Sequence, residues 1–267
     1  MLPFLHLAVK AARRAGDIIL RGVDTLETVQ VFTKGRNDFV TEIDRRAETE
    51  IIAIIREFYP EHTILGEEGG RQEGHENNEC VWIIDPLDGT NNFIHGLPHF
   101  AVSIAVEVKG RLEAGVIYDP VRQELFTALR GSGSKLNDRR LRVSTKTKLS
   151  EAFLATGFPY RQDQSLEAYM EGFARILPLT TGVRRAGSAA LDLAYTAAGR
   201  FDGFWEMGLK SWDMAAGILL IQEAGGLVGD FQGGHDYYKT GNIVGGNPKI
   251  FKALVQTLHQ SAVSQLS

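Results

Sequence analysis

Two aspartates that follow a short apolar run are the residues of this chain best suited to chemistry. In the segment VWIIDPLDGT, the apolar residues Val81 to Ile84 are followed by Asp85, Pro86 and, three residues after Asp85, Asp88. The short apolar run predicts a strand buried on both faces, and Pro86 predicts that this strand ends at Asp85. Two carboxylates this close on a turn repel each other unless a cation lies between them. A hard divalent cation with oxygen ligands is therefore their predicted partner.

Other carboxylates are found at the predicted ends of further elements. Glu67 and Glu68 follow a short predicted strand, and Asp213 lies near the start of a predicted helix. Taken singly, the two glutamates are typical of an acidic surface loop, and Asp213 is typical of a helix N-cap. Strand ends and helix N-termini together suit a phosphate, so the combined positions favour a magnesium–phosphate site. Thr90 supplies a hydroxyl that can orient a water molecule there.

Other chemistries fit the sequence less well. His95 and His99 are separated by a glycine and a proline, so no regular helix presents both to one zinc ion, and no GxSxG elbow is present. A sharper alternative is a phosphatase of the haloacid dehalogenase type, whose acids form the motif DxDx[TV] after a buried strand. The segment DPLDGT has one more residue between its acids. The carbonyl of Leu87 lies in this interval, where it can itself reach a metal.

The elements expected to position these residues differ between the two halves of the chain. Amphipathic helices are predicted at residues 3–21 and 41–59, the second with Thr41 and Asp44 spaced as a capping pair, and β-rich segments then predict an antiparallel meander. After about residue 150, strands alternate with helices, which indicates a partly parallel sheet. We therefore predict an α+β N-terminal part at 1–149 that carries the metal site. An α/β C-terminal part at 150–267, with a mixed sheet and flanking helices, would complete the metal and substrate site.

Composition sets further bounds on the protein class. The chain has 267 residues, is 43% hydrophobic and has a formal net charge of −4, so it is typical of a soluble globular protein without global attraction to nucleic acid or anionic membrane. The single cysteine, Cys80, excludes an internal disulfide and fits a reducing compartment. No apolar run approaches a membrane span, and signal-peptide features are missing. We expect a cytoplasmic protein.

Two longer segments, WIIDPLDGTNNFIH and WDMAAGILLIQEAGG, resemble the paired signatures of the inositol monophosphatase family. The resemblance is greatest to its bacterial SuhB-type members. The segments VTEID, GEE and GSAALD occur in the family's order and approximate spacing, so the resemblance covers essentially the whole chain. Asn91 departs from the pattern, because the family often has a second threonine there. The resemblance implies a layered αβαβα sugar-phosphatase fold.

The resemblance also implies a set of metal ligands. Two or three Mg²⁺ ions per active site would share the following ligands: Glu67, Asp85, the carbonyl of Leu87, Asp88, Asp213 and, through water, Asp44. Asp85 would bridge the first two ions, and Lys34 would lie on a loop beside the third. Thr90 and Glu67 would orient the attacking water. The residues implied to contact the phosphate and the polyol are Asp88, Gly89, Thr90, Arg184, Gly187, Ser188, Ala189, Glu206 and Asp213.

The implied activity is the hydrolysis of myo-inositol monophosphate to inositol and phosphate by direct attack of a metal-activated water. Sensitivity to lithium and a homodimer are implied with it. Related members of the family hydrolyse fructose bisphosphate, histidinol phosphate or 3′-phosphoadenosine phosphate, and these substrates remain alternatives.

An alternative of another class is a non-catalytic partner of the transcription antitermination complex that contains RNA polymerase and Nus factors. The basic face of the first helix and the pair Arg184 and Arg185 are candidate contacts for that role, although solvated surface charge also explains both.

Overall fold

The computed structural model of the protein describes residues 1–35, 38–75, 78–159 and 165–261, and it describes no side chain at residue 28 or at 33–39. The side chain of Lys34, implied above to lie beside a third ion, is therefore outside the described part. Within the described residues, no helix combines the length and the apolar character needed to cross a membrane.

The predicted helices at 3–21 and 41–59 are present, with ends within two residues of the predicted positions. The helices of the described residues are α1 (Leu2–Val23), α2 (Glu42–Phe58), α3 (Thr90–Ile94), α4 (Leu166–Ile176), α5 (Ala189–Ala197), α6 (Ser211–Glu223), α7 (Tyr237–Thr240) and α8 (Pro248–His259). The short helices α3 and α7 were not predicted, because four or five residues are too few to show a helical period.

The strands of the described residues lie in a hairpin and two larger sheets. They are β1 (Val31–Gly35), β2 (Asp38–Thr41), β3 (Thr63–Gly66), β4 (Gly70–Gln72), β5 (Cys80–Asp88), β6 (Ala101–Val108), β7 (Arg111–Asp119), β8 (Glu124–Leu129), β9 (Gly133–Leu136), β10 (Arg139–Arg140), β11 (Phe153–Thr156), β12 (Gly182–Arg184), β13 (Gly203–Glu206), β14 (Leu227–Gly229) and β15 (Ile243–Gly246). The short edge strands β4 and β12 fall in segments without alternating apolar residues, so the sequence did not predict them.

The two large sheets have the predicted characters. The first has the order β10-β9-β8-β7-β6-β5-β3-β4 and is antiparallel except for the pair β3 and β5. The second has the order β12-β11-β13-β15-β14, with β12, β11 and β13 parallel and the remaining pairs antiparallel. The antiparallel character of the N-terminal half and the mixed sheet of the C-terminal half are therefore confirmed.

Helices cover both sheets and fill the space between them. Helices α1 and α2 pack on one face of the first sheet, α5 and α6 lie between the sheets, and α4 and α8 cover the outer face of the second. A Cβ atom on Gly217 of α6 would lie only 2.4 Å from Cβ of Leu193, so glycine allows α5 and α6 to approach closely. The layered αβαβα arrangement is confirmed. The buried cluster between the sheets contains Ile83 and Leu219 from either side of residue 149, and the domain boundary there stays a prediction.

Candidate active site

The prediction that the strand ends at Asp85 was wrong, and the difference shapes the site. Strand β5 continues to Asp88, with Asp85 paired to Ser103 and Asp88 paired to Ala101. Three steps along β5 thus match two steps along β6, which is a β-bulge. Pro86 lies within the bulge, where the regular hydrogen bonds between β5 and β6 are interrupted. Its lack of a backbone N–H therefore costs no hydrogen bond between these strands.

The bulge also fixes the orientation of Asp85. The backbone N–H of Leu87 donates to Oδ1 of Asp85 at 3.0 Å. Side chains alternate along β5, with Ile84 packed in the cluster of α1 and α2 and Ile83 in the cluster of α5 and α6. Asp85 lies two residues after Ile83, so its carboxylate is on the α6 side of the sheet. There the hydroxyl of Ser103 donates to the carbonyl of Trp212 at 3.2 Å, joining β6 to the first turn of α6.

Asp213 lies in that first turn, three residues after the N-cap Lys210, and is not itself the N-cap. Its Oδ2 accepts the backbone N–H of Lys210 at 2.7 Å. Asp85, Asp88 and Asp213 each offer a carboxylate oxygen, and the three oxygens lie within 4.8 Å of one another. The structure therefore brings together three of the predicted metal ligands.

Asp88 is anchored at the N-terminus of α5. Its Oδ2 accepts hydrogen bonds from the hydroxyl of Ser188, which is the N-cap, and from the backbone N–H of Ala190 at 2.8 Å. The positive end of the helix dipole stabilises a carboxylate in this position. The predicted substrate residues Gly187, Ser188 and Ala189 are consequently within one helical turn of the acid cluster.

The cluster concentrates negative charge in a buried environment. Burial raises the pKa of Asp85 well above its ordinary value, and the charges of Glu67, Asp88 and Asp213 raise it further. Burial also raises the pKa of Asp88 to about 6, although its hydrogen bonds from Ser188 and Ala190 oppose the shift. A divalent cation would relieve this repulsion, and an all-oxygen donor set suits Mg²⁺. The residues present fit the implied metal.

Glu67 follows the end of the neighbouring strand β3 and lies near Asp85, outside the group of three carboxylates. Strands β3 and β5 are parallel, with Gly66 opposite Ile84, and the backbone N–H of Glu67 donates to the carbonyl of Ile84 at 3.1 Å. Glu67 thus leaves the carboxyl end of its strand beside Asp85, in the crevice where α/β sheets bind ligands. Glu68 follows on the same turn.

Thr90 and Asp44 form a hydrogen-bonded pair next to the cluster. The Thr90 hydroxyl lies 2.9 Å from Oδ1 of Asp44 and 3.0 Å from the carbonyl of Leu87, and its single proton can serve one of them at a time. Oδ2 of Asp44 accepts the backbone N–H of Thr41 at 2.8 Å in the predicted capping box of α2. Burial raises the pKa of Asp44 to about 6, while bonds from Thr41 and Thr90 lower it. Both of its oxygens thus have partners, and its implied action on a third ion through water stays a prediction.

The backbone conformation and close contacts at Gly89 and Gly187 favour glycine. Both have positive φ angles, 97° and 88°, and a Cβ atom on Gly89 would lie 3.0 Å from the carbonyl of His99. Asn92 fixes this arrangement, since its amide donates to the carbonyls of His99 at 2.7 Å and Ala186 at 2.9 Å. Asn92 was not predicted as a site residue; its place two residues after the signature threonine Thr90 was the only signal.

Two predicted substrate residues lie on the second sheet. Glu206 ends β13, and its carboxylate occupies the space in which a side chain on Gly157 would stand. Arg184 lies on the edge strand β12 with its guanidinium 4.6 Å from the Phe153 ring centroid, whereas Arg185 approaches Gly187. The cation–π contact accounts for the position of Arg184, so its substrate contact stays a prediction.

The fold and the site can be compared with known proteins. Residues 1–263 match the sequence profile of the inositol monophosphatase family. The chain belongs to this family. It is 57% identical, over 97% of its own length and 96% of the relative's, to a Pseudomonas aeruginosa protein named Nus factor SuhB.

Solved structures of this inositol monophosphatase family superpose on nearly the whole chain. The extragenic suppressor protein suhB of Bartonella henselae has a TM-score of 0.93 at 45% identity, covering 96% of this chain and 98% of that one. The inositol monophosphatase of Anabaena has a TM-score of 0.87 at 38% identity, and the match covers 100% of this chain and 99% of the Anabaena chain. Family membership and these neighbours support a phosphatase, and the acid cluster is a site that could bind metal.

Proposed function

We propose that the protein is a Mg²⁺-dependent phosphomonoesterase that hydrolyses myo-inositol monophosphate to inositol and phosphate. The observation that carries the proposal is the three-carboxylate cluster of Asp85, Asp88 and Asp213 beside the hydrogen-bonded pair of Thr90 and Asp44. Glu67 and the Leu87 carbonyl would complete the metal ligands. When bound, the metal lowers the pKa of water and neutralises charge on the phosphate and on the leaving oxygen.

The chain's own residues orient the attacking water. When Thr90 donates its hydrogen bond to Asp44, its hydroxyl oxygen accepts a hydrogen bond from the water. Glu67 accepts a hydrogen bond from the water's other O–H and takes that proton as the water attacks. The water oxygen then forms a bond to phosphorus, and the bond between phosphorus and the inositol oxygen breaks. The leaving oxygen takes a proton from a water held by Asp213, and the proton taken by Glu67 returns through solvent to the hydroxide formed there. No phosphoenzyme is required, so neither Asp85 nor Asp88 needs to act as a nucleophile.

Backbone donors and a carboxylate are available to bind the substrate. The N–H groups of Gly89 and Thr90 would bind the phosphate, which the positive φ angle of Gly89 allows to approach closely. Asp88, the segment from Gly187 to Ala189, and Glu206 would bind polyol hydroxyls. This set of small residues and carboxylates favours a small polyol over a nucleotide.

Phosphate release tests the proposal directly. We expect the protein to release phosphate fastest from myo-inositol 1-phosphate when it is compared with fructose 1,6-bisphosphate, histidinol phosphate and 3′-phosphoadenosine 5′-phosphate, and only with Mg²⁺ present. Asp85→Asn should abolish turnover, since it removes the charge at the centre of the cluster. Glu50→Gln, a change on α2 at a half-buried residue that pairs with Arg14 away from the site, is the matched control. Near-normal turnover in Asp85→Asn would contradict the metal site, and a faster rate on another substrate would replace the substrate assignment.

A second function is favoured by the names of the relatives. The 57% identity to a protein named Nus factor SuhB supports a role in transcription antitermination that does not depend on catalysis. Two of the basic residues on α1 face glutamates of α2, with nitrogen–oxygen distances of 4.0 Å for Lys10–Glu57 and 3.5 Å for Arg14–Glu50. That face is partly neutralised, so the exposed Arg184 is a better candidate contact.

Complementation separates the two functions. In a bacterium that lacks its own SuhB protein and grows poorly, rescue by the Asp85→Asn variant would support the non-catalytic role. Rescue by the wild type alone, with equal expression of both proteins, would show that growth requires the phosphatase site.

A further inference from the structure

A second carboxylate of α2 binds the turn that carries Glu67. Glu48 lies one helical turn after Asp44 and is only 4% exposed. Its Oε2 accepts the backbone N–H of Glu68 at 2.9 Å, and its Oε1 accepts that of Gly69 at 2.6 Å. Two hydrogen bonds to one carboxylate hold both the distance and the rotation of the turn relative to the helix.

The two glycines around this turn make room for the carboxylate. A Cβ atom on Gly66 would lie 2.5 Å from Oε2 of Glu48, and one on Gly69 would lie 2.8 Å from Oε1. Neither glycine has the positive φ angle that marks Gly70, so close approach of Glu48 is the feature that requires glycine at these positions. Glu67 is thus bracketed by two residues that contact Glu48.

The helix therefore reaches both residues that orient the attacking water in the proposed mechanism. Residues four apart lie on one face of a helix. Asp44 accepts from Thr90, and Glu48 accepts from the turn next to Glu67. Burying a carboxylate close to an acidic site is unfavourable unless it is hydrogen-bonded, and here the backbone donors are those of the Glu67 turn.

We infer that Glu48 is a positioning residue, and this inference rests on the function proposed above. Glu48 fixes the turn from Gly66 to Gly69 so that the Glu67 carboxylate faces Asp85. The same helix then holds both Glu67, through Glu48, and Thr90, through Asp44. Partners that orient metal ligands typically contribute roughly 10- to 100-fold to metal affinity or activity. A residue that served only to stabilise the fold would change the melting temperature without changing metal affinity.

The test compares Glu48→Gln with the matched control Glu50→Gln on the same helix. The glutamine keeps one acceptor oxygen and turns an amide donor toward the second N–H, so one hydrogen bond is lost. We expect Mg²⁺ affinity, measured by calorimetry without substrate, to fall roughly 10-fold or more. With the proposed substrate, kcat should fall while KM changes little. Glu50→Gln should match the wild type in each measurement.

A second variant keeps the inference falsifiable if Glu48→Gln does not fold. Gly69→Ala retains the carboxylate but places a methyl group 2.8 Å from Oε1 of Glu48, which must then shift, and it should also weaken Mg²⁺ binding. Wild-type Mg²⁺ affinity in either folded variant, with a lowered melting temperature in EDTA, would overturn the inference. Because calorimetry needs no substrate, a wild-type protein that binds Mg²⁺ but does not hydrolyse inositol phosphate would refute the proposed substrate and leave the role of Glu48 standing.

Discussion

Magnesium binding by the metal-free protein should release protons. Burial and mutual repulsion raise the pKa of Asp85 well above its ordinary value and that of Asp88 to about 6. A raised pKa means that the carboxyl group retains its proton at a pH where an exposed aspartate has lost it. Metal ligands must be deprotonated, so the cation has to displace these protons. Binding should therefore strengthen as the pH rises.

The size of the effect follows from these pKa values. A group with a pKa of about 6 is about one-tenth ionised at pH 5 and about nine-tenths ionised at pH 7. Competition with this single proton on Asp88 weakens Mg²⁺ binding roughly 10-fold at pH 5 relative to pH 7. Asp85 adds to the change, because its pKa is also raised.

Calorimetric titration at pH 6 in two buffers with different ionisation enthalpies measures the number of protons released. We expect proton release on Mg²⁺ binding in the wild type and in Glu50→Gln, and less release together with weaker binding in Asp88→Asn. Equal Mg²⁺ affinities at pH 5 and pH 7 without proton release would refute the reasoning, because the carboxylates would then be ionised before the cation arrives.

Two further predictions concern single side chains. Thr90→Ala should lower kcat roughly 100-fold or more, in the range of a positioned proton-transfer group, while calorimetric Mg²⁺ affinity stays near that of the wild type; Thr90→Ser should restore most of the activity, and equal losses in both variants would contradict the role of the hydroxyl. Asp192 is buried, its Oδ1 has no hydrogen-bond partner among the described residues, and burial, with the charges of Glu206 and Asp88, raises its pKa well above the ordinary value. Its protonated form is therefore favoured on folding, and that stability is lost as the pH rises above the pKa of the unfolded chain. The side chain of Asp192→Asn cannot ionise. In EDTA, the melting temperature of this variant minus that of the wild type should therefore increase from pH 5 to pH 8. A difference in melting temperature that does not change with pH would refute the prediction.

Much of the fold could be predicted from the sequence because its signals are local. Helices α1 and α2 have clear apolar stripes, and the capping box at Thr41 and Asp44 is present as predicted. The extension of β5 past Pro86 could not be predicted, because a proline within a strand is accommodated only by a bulge whose register depends on β6. Glu48 left a weaker signal: it shares a helical face with Ile51 and Ile55, so an acidic residue stands at an apolar position of the stripe.

For Asp44 and Asp213, the sequence left two interpretations open, a role at a helix N-terminus and metal binding. The structure shows that these interpretations are compatible, because a carboxylate has two oxygens. Oδ2 of Asp44 accepts from the N-cap of α2, and its Oδ1 accepts from Thr90. Oδ2 of Asp213 accepts from the N-cap of α6, and Oδ2 of Asp88 accepts from the first turn of α5. The N-terminal ends of three helices thus anchor three acids of the candidate site, and their dipoles stabilise the negative charge of those acids. Capping residues next to a signature motif are therefore themselves candidates for the site.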